Sequence, residues 1–197
     1  MTRTRSLGLL SILGSLLGLV LVAAFTAGDF GLPGTAAYRV YETLNRLMAV
    51  PLLLMACGWL ALARALPSGY GRVAAWLAFA AMVVMAAGTA AEFWLFSDQP
   101  YGVWTNGRMA AFMSFFVASL LLYVAATVVG VALWRSGAGS RVAAVVLMAA
   151  IPLYVAAILT LGSNFLAPAL LAPAAGWAAI RSVETFRRNA STPASAP

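Results

Sequence analysis

The sequence predicts an all-α, polytopic integral membrane protein: six transmembrane helices arranged as three helical hairpins, with both termini cytoplasmic. Three observations carry this expectation. Of the 197 residues, 63% are hydrophobic and only 9% are charged, against about 45–50% and about 25% in soluble domains. The apolar residues fall into six runs, most of them near the roughly 20 residues that an α-helix needs to cross the hydrocarbon core. None of the runs alternates as barrel strands do, and lipid leaves backbone polar groups no partner outside a helix or a closed barrel.

The runs lie at about 6–27, 43–64, 73–96, 109–134, 142–162 and 165–181. Segment one follows Arg3 and Arg5. It is read as a retained helix, because Phe25 stands two before Ala27, where a signal-peptidase site needs a small residue. Its Gly14-x-x-x-Gly18 with Ser11 and Ser15 is a close-packing pattern. A turn with Gly31, Pro33 and Gly34 leads to Tyr38 and Tyr41, rings suited to a membrane interface. Segment two contains Pro51 and ends near Arg64, and the short connection PSGYGR opens the Ala-rich segment three. Segment four carries Ser114, Ser119, Tyr123 and Thr127. Segment five contains Pro152, and Gly162-Ser163-Asn164 turns into segment six with Pro168 and Pro173. Each proline removes a backbone hydrogen bond and kinks or breaks a helix, and the pair in segment six is the place where a broken helix would line a site. Residues 1–188 form the transmembrane domain, and the apolar-poor tail 189–197 is expected to be disordered.

The arginines orient the chain. With the N-terminus cytoplasmic and six spans, Arg3, Arg5, Arg64, Arg72, Arg135, Arg141, Arg181, Arg187 and Arg188 share the cytoplasmic side, while Arg39, Arg46 and Arg108 lie opposite. That asymmetry is the positive-inside pattern. The net charge of +7 is therefore a topology signal, and no nucleic-acid partner is expected, since no basic cluster is interleaved with aromatics. The two outer connections echo one another: Asp29, Pro33-Gly34, Tyr38 and Asn45-Arg46 against Asp98, Pro100, Gly102, Trp104, Asn106 and Arg108. Such an echo fits tandem helical hairpins.

The polar chemistry gathers on the outer side. Ionisable residues in the hydrocarbon zone are costly and point to function. Glu92 lies about a turn inside segment three. Its helical face runs through Gly88, Met85, Ala81, Ala78 and Ala74, small residues that mark contact with other helices. On segment two, Glu42, Asn45 and Arg46 share a face, with Glu42 and Arg46 in the favourable i,i+4 order. At about 1.5 Å per residue, Arg46 stands roughly 27 Å above Arg64 and Glu92 roughly 30 Å above Arg72, so an ion pair between them is expected. The candidate binding residues are Glu42, Asn45, Arg46, Glu92, Asp98, Trp104, Asn106 and Arg108. Tyr101 or Trp104 is expected to fold over the bundle mouth and shield Glu92.

Several chemistries are excluded. There is no Lys for a retinal-type Schiff base, no His for haem ligation or a histidine base, and only Cys57, too few for a cysteine metal or redox pair. Cys57 is read as an inert small hydrophobe. No cofactor or metal is expected, and an enzyme is the least supported class. The expected function is binding or transport of a small solute through an outward-facing polar pocket between segments two, three, four and six, in a bacterial-type inner membrane. The competing reading is a non-catalytic accessory subunit that packs its Ala/Gly faces against a partner membrane protein. A solute binder has a polar cavity descending past Glu92, whereas a scaffold is filled there by side chains.

Overall fold

The structure, a computed structural model, describes residues 3–28, 35–100, 104–137, 140–161 and 163–191, with side chains as far as Thr185. The expected turn residues Gly31, Pro33 and Gly34, with Asp29, Tyr101 and Gly102, lie outside the described residues. The fold is all-helical, with no strand among the described residues. The helices are α1 (Arg3–Ala27), α2 (Ala36–Ala65), α3 (Tyr70–Ala90) continued by a π turn (Ala91–Leu95), α4 (Gly107–Ser136), α5 (Arg141–Met148), α6 (Ala150–Leu161) and α7 (Leu166–Ser191). Five are long and apolar enough to cross a membrane, or six if the bent pair α5–α6 forms one span.

The apolar runs gave the helix cores, and the structure extends two of the helices. α2 starts at Ala36, seven residues before the expected boundary, because the Thr35 side chain caps it by accepting from the Tyr38 N–H. α7 continues through a polar last stretch, with Arg181 paired to Glu184 at 3.2 Å, and reaches Ser191. It thus overlaps the start of the expected disordered tail; residues 192–197 lie outside the described residues.

The expected single segment five is two helices bent by 57°. Pro152 explains the position of the break. It has no N–H, and its ring crowds the carbonyl four residues earlier, that of Met148, the last residue of α5. In α7 the prolines do not break the helix. Pro168 falls in the first turn, where no intrahelical donor is required, and Pro173 is accommodated within a continuous helix.

Alanines and glycines crowd the helix contacts, while many large aliphatics face outward. Ala56, Ala63, Ala74, Ala75, Ala78, Ala126, Ala172 and Ala175 are buried, while Leu16, Val20, Val50, Leu53, Val73, Val117 and Val124 are exposed. This pattern suits a bundle in lipid, where close backbone approach, rather than exclusion of water from leucines, holds helices together. α2 is central, packing on α1, α3 and α7. Gly8 of α1 and Gly176 of α7 meet back to back: a Cβ on either would stand within 2.9 Å of the other's carbonyl oxygen. One turn on, the buried Ser11 hydroxyl lies 3.2 Å from the Met55 carbonyl and 2.9 Å from that of Ala172, joining α1, α2 and α7.

Candidate functional site

The residues surrounding Glu92 belong to a local departure from α-helix. In the π turn, the Phe96 N–H bonds the Ala91 carbonyl five residues back, at 3.0 Å. A π turn rotates side chains away from the register of the preceding helix and is frequent at functional sites. Just before it, Gly88 presses on α4, and a Cβ there would stand 2.9 Å from the Ala111 carbonyl. α3 and α4 thus meet closely below the turn. Within the turn, Glu92 and Phe93 are both buried. The inward face expected for Glu92 is observed: Gly88, Met85, Ala81, Ala78 and Ala74 are all buried with it.

A half-open cavity of about 320 Å³ lies beside Glu92. Its walls come from five places: Phe25 and Thr26 at the end of α1, Tyr41 and Asn45 of α2, Thr89, Glu92 and Phe93 of α3 and its π turn, Phe112 and Phe115 of α4, and the α6–α7 connection at Leu161, Ser163, Asn164 and Phe165. The bend at Ala149 explains the space. Near the break α5 packs on α4 and α7, whereas α6 buries only Ala150 and Ala157. Its 12 residues form a limb about 18 Å long which, tilted by 57° from α5, advances only about 10 Å along the direction of α5.

The α6–α7 connection is consequently sunk. Phe165 packs on Phe115 with ring centroids 5.2 Å apart, about 12 Å along α4 from Gly107. The Tyr123 hydroxyl lies 3.4 Å from the Asn164 carbonyl. Pro168 cannot supply a backbone donor to that carbonyl. The Phe165 N–H bonds the Ser163 hydroxyl at 3.3 Å. This non-helical backbone lines the cavity. Below Thr89 the interior closes: Met48, Leu52, Met55, Met82, Met85 and Leu122 are completely buried.

Of the residues expected to bind, the structure brings Asn45 and Glu92 to the cavity and gives the others different tasks. Arg46 does not pair with Glu92, nor with Glu42. Its Nε–H donates to the Phe93 carbonyl at 2.7 Å. Glu42 instead faces Arg108, with Oε1 3.9 Å from Nη2. Arg108 is 5% exposed. Its Nη1 donates to the carbonyls of Ser97 and Gln99, both at 3.0 Å, and its own N–H donates to the Gln99 side-chain oxygen at 3.2 Å. Its guanidinium also lies 5.7 Å from the centre of the Phe93 ring. Asn106 caps α4, accepting from the Met109 N–H at 2.9 Å, and donates to the Pro100 carbonyl at 2.9 Å. Asp98 is exposed. Trp104 is 70% exposed and does not line the cavity, and Tyr101, the other ring expected over the mouth, lies outside the described residues.

Sequence reasoning missed most of the walls. Phe25, Phe112, Phe115 and Phe165 read as ordinary apolar residues in their segments. The available signal was their concentration near one end of three segments: the end of α1, the start of α4 and the connection into α7. Comparison with protein-family models, with characterised proteins and with solved structures finds no match to this chain.

Proposed function

We propose that this protein is a six-span membrane protein of bacterial inner-membrane type that binds a small solute in an outward-facing pocket around Glu92. The observation that carries the reading is the cavity itself. It combines a buried carboxylate on a π turn with a polar, non-helical connection between α6 and α7. Its volume of about 320 Å³ lies at the small end of ligand pockets, which span about 300–1,000 Å³.

Two features support the orientation and the span count. α5 starts beside the last turns of α4, while α6 ends at the cavity near the opposite end of the bundle. One bent span therefore accounts for the pair better than a re-entrant loop. Arg64, Arg72, Arg135, Arg141 and Arg181 all belong to the end away from the cavity, which the positive-inside rule assigns to the cytoplasm.

The interior beneath the cavity is filled by methionine and leucine side chains. This favours a binding pocket over an open path, and transport would require that plug to part. The accessory-subunit reading rests on outward Ala/Gly faces, but Gly8, Gly14, Gly18, Gly58, Gly71, Gly88, Gly130 and Gly176 meet neighbouring helices of this chain. A thermal-shift screen of small solutes on the purified protein tests the proposal. Stabilisation by at least one solute, abolished by filling the cavity with Asn45→Phe, supports it. A screen of amines, acids, sugars and nucleosides without one such solute overturns it.

A further inference from the structure

We infer that the pocket takes an organic cation, an ammonium group carrying apolar substituents; this rests on the solute-binding reading above and names its ligand class. The carrying observation is a continuous arc of five aromatic rings. Phe93 meets Tyr41 edge-on at 6.0 Å between centroids, Tyr41 meets Phe25 at 5.7 Å, Phe25 stacks on Phe165 at 6.4 Å, and Phe165 meets Phe115 at 5.2 Å. All five rings line the cavity. Ring faces carry the negative lobe of the aromatic quadrupole and attract cations, most strongly where water is excluded.

The charge of the walls points the same way. Among the described lining residues, Glu92 is the one carboxylate and there is no arginine. The two nearby guanidinium groups hold backbone carbonyls. Arg46 binds the Phe93 carbonyl, and Arg108 is held by the Ser97 and Gln99 carbonyls and by Glu42. An anionic solute would meet a carboxylate and aromatic rings with no cationic side chain among the described lining residues. A neutral polar solute could bond to Asn45, Thr89, Ser163 and Asn164 but would gain nothing from the charge of Glu92. A substituted ammonium gains from the carboxylate and the rings together. A cavity of about 320 Å³ corresponds to about ten water volumes at roughly 30 Å³ each, room for a cation of roughly ten heavy atoms.

The test is calorimetric titration of the full-length protein in nanodiscs with three probes of similar size: benzyltrimethylammonium, benzyl alcohol and phenylacetate. The expected result is that the cation binds about tenfold or more tightly than either other probe, the scale of a desolvated cation–aromatic site with a carboxylate. Glu92→Gln should weaken the cation about tenfold and leave benzyl alcohol unchanged, and Phe165→Leu should weaken the cation severalfold. The ranking of probes on the unmodified protein stands even where a variant fails to fold. Phenylacetate or benzyl alcohol binding as tightly as the cation would overturn the cation assignment while leaving a solute pocket in place. Binding of none of the three overturns the assignment too, and the broader solute screen then decides the pocket reading separately.

Discussion

Arg108, at the start of α4, reaches across the π turn to Glu42 near the start of α2, with 3.9 Å between Nη2 and Oε1. The same guanidinium gathers the carbonyls of Ser97 and Gln99, so one buried side chain closes the loop between α3 and α4 onto α2. The two partners are unequal. The Arg108 side chain is 5% exposed and that of Glu42 is 18% exposed, and 3.9 Å is a long contact for an ion pair. Removing the arginine leaves two part-buried carbonyls without their donor, and removing the acid leaves the arginine its carbonyls. We expect Arg108→Ala to cost about 3 kcal/mol, at the low end for breaking a buried charge network, and Glu42→Gln to cost less than about 1 kcal/mol. Thermal melts in a mild detergent check the ranking; equal losses would show that the ion pair, and not the loop clamp, is the larger contribution.

The two glycines of the α1 motif should behave differently despite their matching positions in it. A Cβ on Gly14 would stand 2.8 Å from the Met55 nitrogen and 2.9 Å from the Pro51 oxygen, backbone atoms that cannot move without shifting α2. A Cβ on Gly18 would meet chiefly the terminal methyl of Met55, which can swing to another rotamer. Gly14→Ala is therefore expected to destabilise by about 1–3 kcal/mol, as overpacking does, and Gly18→Ala by less than about 1 kcal/mol. Paired melting curves decide this, and a larger loss for Gly18→Ala would show that the α1–α2 contact is misplaced.

Much of the fold was legible because apolar run length, proline and glycine report directly on helices in lipid. The buried face beneath Glu92 was legible for the same reason, since five small or flexible side chains at helical spacing leave it no other role. The ion pairing was not. Counting residues from the cytoplasmic ends gives the height of Arg46 and Glu92, but not the direction in which either side chain points. The π turn after Ala90 changes that direction, and nothing in AEFWL announces it. The reach of Arg108 to Glu42 and to the carbonyls of Ser97 and Gln99 likewise depends on a side-chain direction that residue counting does not give. Loop length suggested Tyr101 or Trp104 as a lid; Trp104 is 70% exposed, and Tyr101 lies outside the described residues.

The orientation has a direct check. In a Cys57→Ala background, a cysteine placed at Asp98 is expected to react with a membrane-impermeant maleimide in intact cells. One placed at Ser68, exposed in the connection between α2 and α3, is expected to react only after permeabilisation. The opposite pattern would turn the pocket toward the cytoplasm and remove the outward-facing part of the proposal.

The break between α5 and α6 yields the last prediction. If Pro152 sets the bend by denying the Met148 carbonyl its donor and crowding it, Pro152→Ala restores the hydrogen bond and lets the two helices approach a single straight span. Val142 and Leu159 are 74% and 79% exposed, so spin labels fit there with little disturbance. With about 1.5 Å per residue and a 57° bend, straightening lengthens their backbone separation by roughly 3 Å, from roughly 22 to 25 Å. A straight span also carries the α6–α7 connection farther from the floor of the cavity, drawing Asn164 away from Tyr123 and Phe165 away from Phe115. The substitution should then lengthen the spin-label distance and weaken any bound solute together. The control is Pro51→Ala, because α2 runs unbroken through Pro51 and no comparable straightening is available there. An unchanged distance in Pro152→Ala would mean that the packing of α5 on α4 and α7 imposes the bend, and the cavity would owe its space to those contacts.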